Sequence, residues 1–261
     1  MVEDLYELLH DLNSQLDSKG YDRLEELLDA AGFSGLISRA VCDGLAKFSR
    51  ELVTNRYPGG YPDLLPKGVY PRDKVQRSEK GGLEVKASRQ ESSWQSHSPR
   101  GGWFCVVQFA IDRDEDKAIR DREPTTVQAV MIAPLVEEDW SWQPAGEGKK
   151  RTGTASIVPS GRSRLRSNAV WVDPIYADRH QERVFAERKL TFSKEATDRV
   201  LAVLRGVGAP MTAMAVAEAL SDSVGLPPEA LKSKVGSVLT GLAKSRHAIR
   251  TRPGTYTSLG S

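Results

Sequence analysis

Asp63, Glu84 and Lys86 are the residues of this chain whose types and spacing are best suited to chemistry. Asp63 ends the short run Tyr61-Pro62-Asp63 and leads into Leu64-Leu65. Glu84 and Lys86 lie inside Gly82-Leu83-Glu84-Val85-Lys86-Ala87. Residues two apart on a strand point to the same face, so Glu84 and Lys86 project together with Val85 buried behind them. Asp63 on a neighbouring strand completes a cluster of two carboxylates and one ammonium. Hard oxygen ligands of this kind suit Mg²⁺, which takes one or two carboxylates, waters and a substrate phosphate. A lysine beside such an ion orients or deprotonates a water and offsets negative charge on phosphate. Asp73, in Tyr70-Pro71-Arg72-Asp73, is an alternative first ligand because it lies closer to Glu84 in sequence. Asp63 is preferred because it directly follows a proline and continues into an apolar run, whereas Pro71 and the charged 74–80 region read as a turn.

The elements around these residues follow from hydrophobic periodicity. Leu5, Leu8, Leu9, Leu12 and Leu16 predict an amphipathic helix over 2–18. Leu24, Leu27 and Leu28 predict a second over 22–31, and Val41, Leu45, Phe48 and Leu52 a third over 37–53. Tyr57-Pro58-Gly59-Gly60 breaks the pattern. Strands are then expected at 63–65, 83–88, 104–111 and 126–133. The polar stretch 88–102 reads as a loop leaving the Glu84 strand. Asp112 to Glu123 reads as an exposed turn or short helix of mixed charge. Lys149 to Arg166 carries six basic residues and no acid. Its second half, with Arg162, Arg164 and Arg166 among serines and glycine and Asn168 just beyond, has the residue types that contact phosphates and base edges. It is the candidate recognition loop of the first domain.

Pro62-Asp63 with Glu84-Val85-Lys86 resembles the PD-(D/E)XK nuclease superfamily, which includes many restriction endonucleases. The resemblance is supported by Pro62 itself, by the apolar flanks of the Glu84 segment and by the run Trp103–Ile111, which falls where the family's next core strand would lie. It implies an α/β (α+β) core with a mixed central sheet flanked by helices, Asp63 and Glu84 as Mg²⁺ ligands, and Lys86 as the water-activating group. In some members the helix before the first active-site strand donates a further acid. Glu51 and Asp43 are the candidates, with Glu51 the expected third metal ligand. In the resembling enzymes the loop after this strand can touch DNA near the scissile phosphate, which makes Trp94, His97 and Arg100 candidate contacts.

A second module follows. Ser193 is a credible N-cap for a helix on Ala196, Val200, Val203 and Leu204. Met211-Thr212 opens a short helix, and Pro227-Pro228-Glu229 starts a longer one through Lys244 on Leu231, Val235, Val238, Leu239 and Leu242. Residues 248–258 read as strand, basic turn, strand. This order over 193–259 resembles a winged helix–turn–helix domain. In such domains the third helix enters the major groove and the wing touches backbone. The resemblance implies DNA contacts from Lys232, Ser233, Lys234, Ser237 and Thr240 on that helix, from Lys244 and Arg246 after it, and from Arg250 and Arg252 on the wing. The expected division is 1–185 for the nuclease domain and 190–261 for the winged helix.

Charge distribution agrees with a polyanionic partner. The chain has a net charge of +2, but 1–56 holds 11 acidic and 6 basic residues, whereas 190–261 holds 9 basic and 5 acidic. Such asymmetry bears on partners more than the total does. No apolar run approaches the roughly 20 residues that span a bilayer. The acidic start Met1-Val2-Glu3-Asp4 lacks a signal peptide's basic region. Cys42 and Cys105 sit in apolar settings, as buried thiols of a cytoplasmic protein do. No Gly-x-x-x-x-Gly-Lys-Ser/Thr pattern occurs, so no nucleotide cofactor is expected. The combined expectation is a Mg²⁺-dependent, site-specific double-stranded DNA endonuclease of type II restriction character, acting as a two-fold homodimer. A winged-helix regulator without catalysis and a repair nuclease are the alternatives.

Overall fold

The computed structural model describes residues 1–96, 98–144 and 153–259. They divide into two units, Met1–His180 and Gln181–Ser261. The first unit opens with α1 (Val2–Ser18), which buries Leu5 and Leu9. The second helix is a single turn, α2 (Leu24–Leu27), because Leu28 is extended and Asp29 caps the next helix, its carboxylate accepting from the Gly32 N–H at 2.6 Å. Helix α3 (Ala30–Phe48) buries Phe33, Ile37, Val41 and Cys42 along one face. It ends before the expected Val53. The Ser49 hydroxyl accepts the N–H groups of Glu51 (3.1 Å) and Leu52 (3.0 Å) and turns the chain into β1 (Leu52–Thr54).

The remaining elements of this unit are β2 (Leu64–Pro66), β3 (Leu83–Ser88), β4 (Gln95–Ser96), β5 (Gly102–Ala110), β6 (Thr126–Leu135), β7 (Trp140–Gln143), β8 (Thr154–Ile157), α4 (Pro159–Ser167) and β9 (Ala169–Val172). The main sheet has the order β1-β2-β3-β5-β6-β9. Strands β3 and β5 are parallel and the other pairs antiparallel, so the sheet is mixed. Alternation along β3 and β5 separates its faces. Leu83, Val85, Cys105, Val107 and Phe109 pack with Leu5, Phe33, Ile37 and Val41 under α1 and α3. Phe104 and Val106 face the other way, onto Trp94, Trp140, Ala155, Ile157 and Leu165 from α4 and the small sheet β4-β8-β7. Glu84 and Lys86 alternate with Leu83 and Val85 and so belong to this second face.

A polar clamp fastens the helical layer to the connection before β6. Glu25, 2 % exposed, accepts from Thr125 Oγ1 at 2.7 Å, Asn13 Nδ2 at 3.0 Å and Arg23 at 3.1 Å. Burial pushes its carboxyl up, but the bonds from Thr125, its own backbone and Asn13, with the Arg23 charge, hold it below the ordinary glutamate range. A carboxylate with a depressed folded value adds stability above its unfolded value and loses it as pH falls. Glu25→Gln should therefore cost about 1–3 kcal/mol near neutrality, and its gap to wild type should narrow as pH drops below the ordinary glutamate range. Urea unfolding at several pH values measures this. The charged segment 112–123 is a turn with one short 3₁₀ turn, Ile119–Asp121, drawn around the Asp112 carboxylate, which accepts from Asp114 N, Glu123 N and, at 2.9 Å, the Lys117 ammonium.

The second unit is built from most of α5 (Ala177–Val207), then β10 (Met211–Thr212), α6 (Ala213–Val224), α7 (Pro228–Lys244), β11 (Ala248–Arg252) and β12 (Thr255–Ser258). Ser193 does not start a helix: α5 runs uninterrupted through 177–207, since no proline or glycine interrupts it before Gly206. Met211-Thr212 opens α6 as expected, the Thr212 hydroxyl capping it by accepting the Ala215 N–H, and the same two residues also pair with β12. Leu231, Val235, Leu239 and Leu242 line one face of α7 and pack with Phe192, Val200, Leu204, Val216, Leu220 and Tyr256. The sheet order is β10-β12-β11. Among the described residues no helix is long and apolar enough to cross a membrane.

Candidate active site and nucleic-acid interface

Asp63, Glu84 and Lys86 meet at the seam between β2 and β3. The ladder there is a single pair, Leu64 opposite Leu83. One step along the same antiparallel register sets Asp63 beside Glu84. Instead of a backbone carbonyl, the Asp63 carboxylate accepts the Val85 N–H, at 2.9 Å. The strands part at this point while their polar side chains stay together. Lys86 Nζ lies 2.6 Å from Glu84 Oε1, and Val85 is buried behind the pair. Gly82, at φ +132°, permits the approach: a Cβ there would collide with the Leu64 carbonyl oxygen and Pro62 Cγ. Gly82→Ala should cost about 2–4 kcal/mol, read as a lowered urea midpoint.

The electrostatics are those of a charged group kept from water. Glu84 is 7 % exposed and Lys86 is half-buried. Burial pushes the Glu84 carboxyl up, Lys86 opposes this, and the Asp63 carboxyl within hydrogen-bonding reach raises it further. Two adjoining carboxylates with one ammonium are an anionic pair that a divalent cation would relieve. Among the described residues no three His, Cys, Asp or Glu converge to hold a metal. An ion here would rest on the two carboxylates and water, which is within the habit of Mg²⁺. Tyr61, two residues before Asp63, shares its environment. Burial, and then the Glu84 charge, push the phenol up to about 12. Its hydroxyl donates to the Gly101 carbonyl at 3.3 Å and its ring carries the Arg100 guanidinium at 4.3 Å. The signal for Tyr61 was available in its i, i+2 relation to Asp63. Both cysteines are buried free thiols pushed up chiefly by burial, which disfavours thiolate chemistry.

Glu51 is not a partner of this pair. It is exposed, it follows α3 rather than ending it, and its carbonyl accepts from Lys67 N, whereas Asp63 O accepts from Asn55 N. Four residues along a strand separate the two, roughly 13 Å. Asp43 lies on α3, which packs on the Val85 face, and engages Arg39 and Thr54. Asp73 sits in the turn Pro71–Asp73, with its carbonyl on Arg56 N, so Asp63 is the acid beside Glu84.

The candidate recognition loop is, where it is described, strand β8 followed by helix α4. Residues 149–152 lie outside the described residues, as does His97. Pro159 at the first turn starts α4, and Leu165 buries its face. Arg166 is 1 % exposed, stacks on Trp94 at 5.3 Å and donates to the Glu91 carbonyl. It is an interior residue, not a DNA contact, and Trp94 at 2 % exposed is likewise core. Arg162 donates to the Ile157 carbonyl at 2.9 Å, and Arg164 pairs with buried Asp139 at 3.3 Å. Asn168 caps α4 through the Arg164 carbonyl and stays exposed. Arginines here hold α4 in place, a role that residue type alone does not distinguish from phosphate binding.

The second unit keeps its cations on the surface. Lys232, Ser233, Lys234, Ser237 and Thr240 are exposed on α7, opposite its buried leucines and valine. Lys244, Arg246, Arg250 and Arg252 are exposed after it and on the β11–β12 hairpin. Arg246, at φ +61°, sits in the turn where His247 N returns to the Leu242 carbonyl. None of these six lysines and arginines has an ion-pair partner among the described residues.

No family model matches the chain, and no curated protein matches it.

Proposed function

We propose that the protein is a Mg²⁺-dependent double-stranded DNA endonuclease of type II restriction character. Its first unit would be a PD-(D/E)XK-like core and its second a winged-helix DNA reader. The observation that carries the reading is the convergence of Asp63, Glu84 and Lys86 on one sheet face, where the opened β2–β3 seam leaves them together. Asp63 and Glu84 would hold the ion, which when bound polarises the phosphate and lowers the pKa of an attacking water. Lys86 is placed to orient that water and to offset charge as the phosphorane oxygen develops. Val85 fixes both side chains by filling the core behind them. The uncompensated cations of α7 and the hairpin supply affinity through phosphate contacts, and Ser237 and Thr240 lie where base edges would be read. A two-fold dimer would bring one such site to each strand.

The test is incubation of the full chain with methylated and unmethylated plasmid and phage DNA, with Mg²⁺ or EDTA. Discrete fragments that require Mg²⁺ are expected. Intact DNA under every condition, with salt-sensitive binding retained, would instead favour a regulator.

A further inference from the structure

A cation lies on the ring of Tyr61, two residues before Asp63, and pairs with neither carboxylate. Arg100 Nε donates to Ser98 Oγ at 2.7 Å, and the guanidinium lies on the Tyr61 ring, 4.3 Å from its centroid. The Arg100 carbonyl accepts from Trp140 Nε1 at 2.9 Å, and Trp140 is core. Backbone and side chain are thus both fixed. Tyr61 in turn is anchored on Gly101 and feels the charges of Glu84 and Asp63. Arg100 nevertheless makes no ion pair, and its two terminal amino groups have no partner among the described residues.

That combination distinguishes Arg100 from a charge that merely neutralises the site. A neutralising arginine would lie on a carboxylate, as Lys86 lies on Glu84. Stacking on an aromatic ring instead holds the guanidinium plane and leaves its edge donors available. Two parallel N–H donors in a fixed fork match the oxygens of a phosphodiester. Resting on the nuclease reading above, we propose that Arg100 is a phosphate-binding residue of the site, holding a backbone phosphate of DNA beside Asp63 and Glu84, with Tyr61 as its platform.

The test is Mg²⁺-dependent plasmid cleavage by wild type, Arg100→Ala, Arg100→Lys and Tyr61→Leu as full chains, with the salt dependence of kcat/KM and thermal unfolding measured beside it. Arg100→Ala should cut about 10–100-fold more slowly at unchanged unfolding temperature, and its salt slope should fall by about one phosphate contact. Arg100→Lys should recover part of the rate and all of the slope, because it keeps the charge without the fork. Tyr61→Leu should resemble Arg100→Ala in rate. Full-speed Arg100→Ala beside an active wild type would overturn this proposal alone. So would a slow variant whose salt slope is unchanged and whose unfolding temperature has dropped, since that marks a structural role. A wild type that cuts nothing would remove the nuclease reading and this proposal with it.

Discussion

Glu84→Gln should abolish DNA cleavage, slowing it by about 10³-fold or more, or roughly 4 kcal/mol of transition-state stabilisation, while leaving the protein folded and able to bind DNA. The substitution is close to isosteric and removes one of the two charges that would hold the ion. The fold should tolerate it well. Burial already pushes the Glu84 carboxyl toward its neutral form, so a neutral amide at this 7 % exposed position meets little penalty. Lys86 would keep an oxygen acceptor in the amide. Lys86→Ala is the companion variant. It should lose about 10²–10⁴-fold in rate while binding metal at least as well, because an ammonium competing for Glu84 at 2.6 Å is gone. Single-turnover cleavage and circular dichroism, run on the same preparations, separate lost chemistry from lost folding. Equal rates for Glu84→Gln and wild type would mean that another group supplies the ion's charge partner.

The second large effect belongs to the second unit. Replacing Lys234, Lys244, Arg250 and Arg252 together by alanine should reduce the slope of log Kd against log salt by about 3–4, and weaken binding by about 10³-fold at 0.1 M salt. All four are exposed and without ion-pair partners among the described residues, so their removal disturbs no packing. The unfolding temperature should stay within a few degrees of wild type. Fluorescence anisotropy on a duplex at several salt concentrations gives the slope directly. Replacing Arg162 and Arg164 should behave in the opposite way. Arg162 donates to the Ile157 carbonyl and Arg164 pairs with buried Asp139, so stability should fall while the salt slope changes little. A quadruple variant with the wild-type slope would place the DNA face elsewhere.

What could be read from the chain depended on how locally each feature is determined. The Glu84 strand was legible to the residue, because Leu83 and Val85 alternate with Glu84 and Lys86 and a half-buried strand has no other register that keeps these two charges from the helical layer. The pairing of Asp63 with Glu84 was legible as a candidate. Its means, a carboxylate replacing a ladder carbonyl on Val85 N, depends on where β2 leaves the sheet. Helix α7 was read correctly from Leu231, Val235, Leu239 and Leu242, a regular stripe with solvated lysines opposite. Arg166 was misread because arginine on a phosphate and arginine stacked on a buried tryptophan have the same local sequence. Glu51 was misread because Ser49 ends α3 earlier than its apolar spacing implies, and one hairpin then carries the acid to the wrong end of β1. The Tyr61–Arg100 stack joins residues 39 apart and has no local signature.

The most direct test of the central claim needs no knowledge of the DNA sequence recognised. Mn²⁺ binding to the full chain, followed by electron paramagnetic resonance with a DNA duplex present, should show a bound ion in wild type. The Asp63→Asn, Glu84→Gln double variant should lose that ion while still binding the duplex. Mn²⁺ bound equally well by the double variant, or not at all by wild type, would contradict the claim that Asp63 and Glu84 form a divalent-metal site.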